Sequence, residues 1–196
     1  MVFASIIITN YNYSNYLARC IRSAILQNIN NEEYEVIVID DKSTDNSISV
    51  LESFRGSLRV IASKKNEGLA VSRNKGVDAA IGKYIVFLDA DDYLNKHFLL
   101  FFREYIRYFD INAISSDYIL VDDDENHKKV VSAIEKPIAC GILFKKSIFK
   151  EIGGYDKDFI CREEEDFKIR YEKIYGAIPN LPLPLYRYRM HNNNLT

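Results

Sequence analysis

Short apolar runs alternate with longer helical segments in the first half of the chain. The apolar runs cover residues 5–9, 35–39, 58–62 and 84–88. Between the first two runs, apolar side chains recur with a helical period, at Leu17, Cys20, Ile21, Ala24 and Ile25. Strands that alternate with helices at this spacing predict βαβ units. We therefore expect an α/β fold with a mostly parallel central sheet and helices on both faces.

Three more helices are predicted in this half of the chain. They are expected to follow the later strands, at residues 43–54, 69–80 and 95–109. The first of them has Ser43 and Thr44 as N-cap hydroxyls and Asp45 as a first-turn acid. The second follows a turn and carries small residues such as Gly76 on one face, which favours close packing against the sheet.

The second half of the chain has a different pattern. Residues 113–121 alternate like a strand, and the charged run at 122–129 is typical of an exposed hairpin tip or mobile loop. A short helix ended by two glycines is predicted at 145–152, and a longer one at 163–175. Three prolines then precede a last apolar run at 185–188, which indicates an extended segment.

Composition fits one globular domain with a sizeable core. The 196 residues are 47% apolar and 28% charged, which is ordinary for a soluble protein. The formal net charge of −2 argues against a nucleic acid partner, because nucleic-acid-binding surfaces need clustered positive charge.

Cysteines and hydropathy bear on the compartment. Cys20, Cys140 and Cys161 are widely spaced and form no CxxC pair, so neither a zinc knuckle nor a disulfide framework is indicated. No stretch approaches the roughly 18 apolar residues of a membrane helix. We expect a soluble protein in a reducing compartment, with membrane contact restricted to a surface patch.

Acidic side chains follow the fourth predicted strand. Asp89 and Asp91 come directly after the apolar run at 84–88. Ligands of open α/β sheets bind beyond the carboxyl ends of the strands, and two carboxylates at such an end can hold a divalent cation that in turn binds a diphosphate. Taken alone, the same segment favours a solvated acidic turn, and the rest of the chain reverses that preference.

The first two strands end in groups that suit a nucleoside. Thr9 and Tyr11 follow the first strand, and Asp40 and Asp41 follow the second. A carboxylate can accept a hydrogen bond from the N–H of a base, and a tyrosine ring can stack on it. Helix capping by the two acids and simple packing of the tyrosine are the alternatives.

Seven motifs in a set order extend these observations across the chain. They occupy residues 5–12, 38–45, 66–74, 87–92, 151–156, 165–167 and 188–191. On these residues the chain resembles the family 2 inverting glycosyltransferases, which have the GT-A nucleotide-sugar fold. The resemblance implies two halves, a nucleotide-binding half at 1–92 and an acceptor-binding half at 93–196.

The resemblance implies a role for each matching residue on the donor side. Thr9, Tyr11 and Asp41, with Asp40 beside it, would hold the nucleoside. Arg73 would reach the base or the diphosphate. Asp89 and Asp91 would form the DxD pair, with Asp91 as the direct metal ligand and Asp89 nearer the ribose.

It also implies a catalytic group and two late residues. Asp166, preceded by Glu165, would be the general base that deprotonates the acceptor hydroxyl. His191 would lie near the diphosphate or the metal, and Arg189 would assist there. One position departs from the family, since Glu164 stands where relatives often have a small residue.

The implied function is transfer of a sugar, with inversion, from a nucleotide-sugar donor. The expected donor is a UDP-sugar, the metal is Mn²⁺ or Mg²⁺, and the acceptor is a glycan or a lipid-linked saccharide. Synthesis of cell-surface polysaccharide is the expected setting, in the cytoplasm or peripherally at the inner face of the membrane. The chain ends soon after His191, so we expect either a minimal enzyme or the catalytic part of a longer one.

Three alternatives are weighed against this function. A nucleotidyltransferase needs a glycine-rich basic loop after the first strand, and residues 9–13 contain neither glycine nor lysine. A haloacid-dehalogenase-like phosphatase needs its nucleophilic aspartate after the first strand instead of the fourth. An inactive scaffold or nucleotide-sugar-binding module that keeps the fold is the non-enzymatic alternative, and the retained Asp89, Asp91 and Asp166 argue against it.

Overall fold

A mixed sheet forms the centre of the protein. The computed structural model describes residues 2–158 and 163–191, and within them nine strands join in one sheet. In chain order the strands are β1 (Ala4–Asn10), β2 (Tyr34–Asp40), β3 (Arg59–Ala62), β4 (Tyr84–Asp89), β5 (Tyr93–Leu94), β6 (Ala113–Val121), β7 (His127–Val131), β8 (Leu143–Lys145) and β9 (Asn180–Arg189).

Helices connect most of these strands. They are α1 (Ser14–Ile25), α2 (Ser47–Glu52), α3 (Leu69–Ala79), α4 (Phe98–Tyr108), α5 (Lys146–Glu151) and α6 (Glu163–Tyr175), with one 3₁₀ turn at Asn31–Glu33. None of the helices in the described part of the chain has the length and apolar character needed to span a membrane.

The sheet brings the ends of the first four strands together. Its order is β3-β2-β1-β4-β8-β6-β9-β5, with β7 paired to β6. The first four strands are parallel, and Thr9 lies opposite Asp89 while Asn10 lies opposite Asp40. The predicted α/β class with a parallel sheet in the first half is confirmed. In the second half, β8 joins β4 in the antiparallel sense and extends the sheet.

Strand β1 is the centre of the core. All seven of its residues are buried, because α1 and α3 pack against it and β2 and β4 flank it on either side. Helix α3 packs closely on it at Gly76, where an added Cβ would lie 2.2 Å from Cγ2 of Ile7. The predicted small-residue face of this helix therefore contacts the sheet.

Two elements differ from the sequence-based prediction. Helix α2 begins at Ser47 instead of near residue 43, because the Asp45 carboxylate accepts hydrogen bonds from the backbone N–H groups of Ser14 and Ser47 at 2.9 Å each. Strand β9 begins at Asn180 and runs through Pro182 and Pro184. Its pairing with β6 shifts register twice near these prolines, since proline has no N–H to contribute to a ladder.

The charged run after β6 forms a hairpin tip, as predicted, and it is anchored. Glu125, with a φ of 64°, pairs with Arg19 of α1 at 2.9 Å and with Arg189 of β9 at 3.2 Å. The tip thus links the two halves of the chain. Of the cysteines, Cys20 and Cys140 are buried free thiols, and Cys161 lies outside the described residues.

Substitution of Gly76 by alanine tests the close approach of α3 to β1. Alanine at this position should destabilise the protein by about 1–3 kcal/mol, because the stiff branched side chain of Ile7 has no room to move. The measurement is urea unfolding of G76A, of Ile7→Ala and of the double variant.

The double variant supplies the control. Removal of the Ile7 side chain should make Gly76→Ala neutral or stabilising, because alanine is favoured over glycine in a helix by about 1 kcal/mol. An equal cost of Gly76→Ala in both backgrounds would show that the contact is not the cause.

Candidate active site

Hydrogen bonds join the segments that follow β1 and β2. Asp40 accepts hydrogen bonds from the side-chain amide of Asn10 at 2.9 Å and from the backbone N–H of Ser43 at 3.0 Å. It is 1% exposed and does not line the neighbouring cavity. The side chain of Asp40 is therefore bound within the protein, whereas Asp41 lines the cavity.

Asp41 holds the turn that precedes α3. Its carboxylate accepts hydrogen bonds from the backbone N–H groups of Glu67 and Gly68 at 2.8–3.0 Å, and it lines the cavity. Thr9 and Tyr11 line the same wall, and Tyr11 is 43% exposed. The three residues predicted to hold a nucleoside thus lie on one surface.

Arg73 is a buried cation between two carboxylates. Its side chain is 2% exposed and pairs with Asp89 at 2.8 Å and with Glu163 at 2.9 Å, and it donates a hydrogen bond to the sulfur of Cys140. Burial alone would lower the pKa of the Arg73 guanidinium, but the charge of Asp89 and the other negative partners raise it well above its ordinary value. Arg73 lines the cavity and keeps Asp89 in place.

Three aspartates concentrate negative charge at the end of β4. Burial, followed by the charge of Asp89, raises the pKa of Asp91, although His191 opposes the change. Burial together with the charges of Asp91 and Asp89 raises the pKa of Asp92 well above its usual range. Asp92 accepts hydrogen bonds from the hydroxyl of Tyr186 at 2.6 Å and from the backbone N–H of Arg189 at 2.7 Å. Asp92 therefore joins the end of β4 to β9.

The end of β9 completes this acidic region. Nε2 of His191 lies 3.0 Å from the carboxylate of Asp91, and the ring of Tyr16 stacks on the imidazole with centroids 4.8 Å apart. Nε of Arg189 donates to the carbonyl of Asp91 at 2.8 Å, and its guanidinium contacts the hairpin tip at Asp123 and Glu125. The structure places His191 beside Asp91, and Arg189 holds the backbone there.

The carboxylates of Asp89 and Asp91 are the part of this region that suits a divalent cation, because Mg²⁺ and Mn²⁺ prefer oxygen ligands. The imidazole of His191 lies beside Asp91. Within the described residues, His, Cys, Asp and Glu side chains form no group of three that could hold a metal by themselves. Mg²⁺ and similar cations in enzymes take one or two carboxylates and complete their shell with phosphate oxygens and water.

The four acidic residues at the start of α6 lie in three different environments. Glu163 is 1% exposed and pairs with Arg73, while Glu164 and Glu165 line the main cavity. Asp166 pairs with Arg170 at 2.6 Å and lines a second, smaller cavity of about 560 Å³. The carboxylate of Asp166, the general base expected from the sequence, is thus bound to a guanidinium outside the main cavity.

Helical periodicity explains why these four acids lie in different environments. Glu163, Phe167 and Tyr171 follow at intervals of four and are the buried residues of α6. The residue after Glu163 is turned toward the cavity, and Asp166 is turned toward Arg170, four residues later. The sequence analysis marked Glu164 only as a departure from the family, because motif positions do not show which side chains of a helix face a cavity.

The main cavity joins all of these walls. Its volume is about 1170 Å³, and its lining includes Thr9, Tyr11, Asp41, Arg73, Asp89, Asp91, Glu164 and Glu165. Cavities for drug-sized ligands span about 300–1,000 Å³. The cavity is therefore large enough for a nucleotide-sugar and part of an acceptor.

Comparison with known structures defines the class of fold. Staphylococcus aureus TarS, residues 1–349 in complex with UDP-GlcNAc, superposes with a TM-score of 0.85 at 21% identity, covering 98% of this chain and 60% of that chain. The mannosyltransferase PcManGT of Pyrobaculum calidifontis, in complex with GDP-Man and Mn²⁺, gives a TM-score of 0.74 at 16% identity, covering 97% of this chain and 57% of that one. The GT-A fold predicted from the sequence is confirmed.

Sequence comparison defines the family. The profile of glycosyl transferase family 2 matches residues 5–167, and the chain belongs to this family. The poly(ribitol-phosphate) beta-glucosyltransferase of Bacillus spizizenii is 37% identical over 49% of the chain, and the putative glycosyltransferase EpsH of Bacillus subtilis is 25% identical over 97% of it. The matched regions cover 16% and 62% of those proteins.

The buried pair of Arg73 and Glu163 should contribute strongly to stability. Glu163→Gln should cost about 3 kcal/mol, the lower part of the range for breaking a buried ion pair, because Asp89 still pairs with Arg73. Asp166→Asn serves as the control on the same helix. It should cost less than about 1 kcal/mol, because its pair with Arg170 is partly exposed. Urea unfolding measures both, and equal costs would contradict the buried role of Arg73.

Proposed function

We propose that the chain transfers a sugar from a UDP-sugar to an acceptor hydroxyl, with inversion and with help from a divalent cation. One observation carries the proposal. A single cavity is lined by the groups suited to a nucleoside at Tyr11 and Asp41, by the acidic pair at Asp89 and Asp91, and by a carboxylate on the opposite half at Glu164. Binding of the donor, support of the leaving group and activation of the acceptor can then occur in one place.

The donor nucleoside would lie along the ends of β1 and β2. Tyr11 has an exposed ring that can stack on a base, and Asp41 keeps lone pairs for a base N–H while it holds the turn before α3. Thr9 lies beside them on the cavity wall. UDP is the nucleotide we favour, because TarS has been crystallised with UDP and with UDP-GlcNAc.

The diphosphate would lie at the end of β4. Asp91 and His191, with Asp89, would hold a Mn²⁺ or Mg²⁺ ion, which neutralises charge on the leaving diphosphate when bound. Arg73 keeps the carboxylate of Asp89 oriented by a charged hydrogen bond at 2.8 Å. Arg189 holds the backbone of Asp91 by a hydrogen bond from its Nε to the Asp91 carbonyl.

Glu164 is the general base in this proposal. Inversion needs a single attack at the anomeric carbon, so one carboxylate that accepts the proton of the attacking hydroxyl is sufficient. Glu164 lines the cavity, and its predecessor Glu163 is locked onto Arg73. Because α6 is fixed at that point, Glu164 has a defined orientation. Glu165 lines the same cavity and is the alternative base.

The two halves of the chain divide these tasks. Residues 1–92 supply the donor side of the cavity, and residues 93–196 supply Glu164 and most of the wall on which an acceptor would lie. Polymers of the cell surface are the acceptor class we favour, because the relatives from Bacillus spizizenii and Staphylococcus aureus are named for transfer to poly(ribitol phosphate).

UDP binding tests the donor site. Calorimetric titration of UDP in the presence of Mn²⁺ should show binding, and both EDTA and Asp91→Asn should weaken it by at least about tenfold through loss of the cation. Asp110→Asn removes an exposed acid outside the cavity and is the matched control.

Two outcomes would count against this donor. If the folded protein binds GDP or dTDP but not UDP, the donor carries that nucleotide instead of UDP. Absence of binding for all three nucleotides would favour a non-catalytic role for the domain.

Release of UDP from a UDP-sugar, with water or poly(ribitol phosphate) as the acceptor, tests the base. Glu164→Gln should lower kcat about 10²- to 10⁴-fold, the usual contribution of general base catalysis, while the Kd of UDP stays unchanged. Asp166→Asn should leave kcat within about threefold, because Asp166 is bound to Arg170 outside the cavity.

Glu165→Gln completes this series. A loss of kcat in Glu165→Gln instead of Glu164→Gln would identify Glu165 as the general base. A loss confined to Asp166→Asn would identify Asp166 as the base, as the sequence suggests.

A further inference from the structure

The hairpin tip between β6 and β7, residues 122–126, lies against the acidic end of β4. The backbone N–H of Glu125 donates to the carbonyl of Asp122 at 3.0 Å, which closes the turn. The carbonyls of Asp122 and Asp123 accept hydrogen bonds from Nη1 of Arg189 at 3.3 Å and 2.9 Å. The hairpin tip is therefore bound to the strand that ends beside the acidic pair.

Arg189 is a buried cation next to this pair. Its side chain is 3% exposed, and its guanidinium lies over the rings of Tyr16 and Tyr93, 5.1 Å and 5.5 Å from their centroids. Its Nε donates to the backbone carbonyl of Asp91 at 2.8 Å. A positive charge in this place opposes the binding of a divalent cation at the nearby carboxylates, unless a negative charge compensates it.

Glu125 supplies a compensating charge. Its carboxylate lies 3.2 Å from Nη2 of Arg189 and 2.9 Å from Nε of Arg19 on α1. Glu125 has a φ of 64°, in the left-handed region that is uncommon for residues other than glycine, and such a conformation persists only where the surroundings fix it. The two ion pairs hold Glu125 at the guanidinium of Arg189.

A second route joins the hairpin tip to the acidic pair. The hydroxyl of Tyr16 donates to the carboxylate of Asp123 at 3.0 Å, and its ring stacks on the imidazole of His191 with centroids 4.8 Å apart. Nε2 of His191 lies 3.0 Å from the carboxylate of Asp91. The hairpin tip thus reaches the backbone of Asp91 through Arg189 and the side chain of Asp91 through Tyr16 and His191. A change in the tip should be felt at the cation site.

We propose that Glu125 is a positioning residue for the cation of the donor site. It neutralises Arg189 and keeps the guanidinium on the carbonyl of Asp91, which leaves the carboxylates of Asp89 and Asp91 available to Mn²⁺ or Mg²⁺. Glu125 lies outside the lining of the main cavity, so it acts through Arg189 and not by contact with the ligand. The inference rests on the proposed function, since it concerns the affinity for the cation that the donor site would hold.

Glu125→Gln keeps the shape of the side chain and removes its charge. UDP is titrated calorimetrically into the full chain at a series of Mn²⁺ concentrations and in EDTA. The Mn²⁺ concentration that gives half of the metal-dependent gain in UDP affinity should rise about tenfold, a usual cost of losing a residue that holds metal ligands in place. In EDTA, UDP should bind the variant at least as tightly as the wild type, because the uncompensated guanidinium of Arg189 attracts the diphosphate.

Two results for this variant would overturn the proposal. One is an unchanged requirement for Mn²⁺. The other is an equal weakening of UDP binding with Mn²⁺ and in EDTA, which would indicate a general loss of structure instead of a loss of cation affinity.

Asp124→Asn is the matched control, because it removes the same charge from the same hairpin tip. Asp124 is exposed and lies outside the lining of the main cavity. The Mn²⁺ requirement of this variant should stay within about twofold of the wild type, since solvent and salt screen an exposed charge. A rise as large as that of Glu125→Gln would show that the net charge of the tip sets the affinity, and it would contradict a role for the contact with Arg189.

Two backgrounds identify the partner through which Glu125 acts. In Arg189→Met, Glu125→Gln should not raise the Mn²⁺ requirement further, because no guanidinium remains to be neutralised. In Arg19→Met, the effect of Glu125→Gln should persist, because the contact with Arg189 remains. Loss of the effect in Arg19→Met alone would contradict the proposal. Urea unfolding checks that each variant is folded, and Glu125→Gln with its control decides the question even if Arg189→Met does not fold.

The outcomes separate this inference from the proposed function. If the wild type binds UDP with Mn²⁺ and Glu125→Gln has the same Mn²⁺ requirement, the donor site is supported and the role of Glu125 is contradicted. If the folded wild type binds GDP or dTDP instead, that nucleotide takes the place of UDP in the same titrations. If it binds none of the three, both the donor site and the role of Glu125 are contradicted.

Discussion

The site depends on one buried cation. The guanidinium of Arg73 lies in the core, where an unpaired charge would be strongly destabilising, and it is compensated by Asp89 and Glu163, 16 and 90 residues away in the chain. This requirement joins α3, the end of β4 and the start of α6. Because Glu163 is fixed, helical geometry turns Glu164 toward the cavity and Asp166 away from it. The orientation of the proposed base is therefore set by an interaction in which the base takes no part.

A second set of contacts holds the acidic end of β4. Asp92 is bound by the hydroxyl of Tyr186 and the backbone of Arg189, and Arg189 also binds the carbonyl of Asp91. These groups come from β9, almost a hundred residues later in the chain. The aspartates that would bind a cation are thus placed by strands from both halves. The hairpin tip strengthens this link, because Glu125 pairs with Arg19 on one side and with Arg189 on the other.

Much of the fold could be predicted because it depends on local pattern. Strand β6 and helix α6 have the predicted bounds, since alternation and helical period are properties of short segments. Helix α2 was placed too early, because the carboxylate of Asp45 is used by α1 as well as by α2. The prolines of β9 suggested an approach to a strand, whereas the register shifts of β6 accommodate them within it.

The sequence by itself determined the α/β class, the family, and the gathering of Thr9, Asp41 and Asp89 at one edge, because parallel strands bring their carboxyl ends together whatever the details of packing. Tertiary structure alone decided the burial of Arg73 and the separate environments of the four acids that begin α6. These features depend on contacts between segments far apart in the chain. Motif spacing records the neighbours of a residue along the chain, but the direction of a carboxylate is set by its neighbours in space.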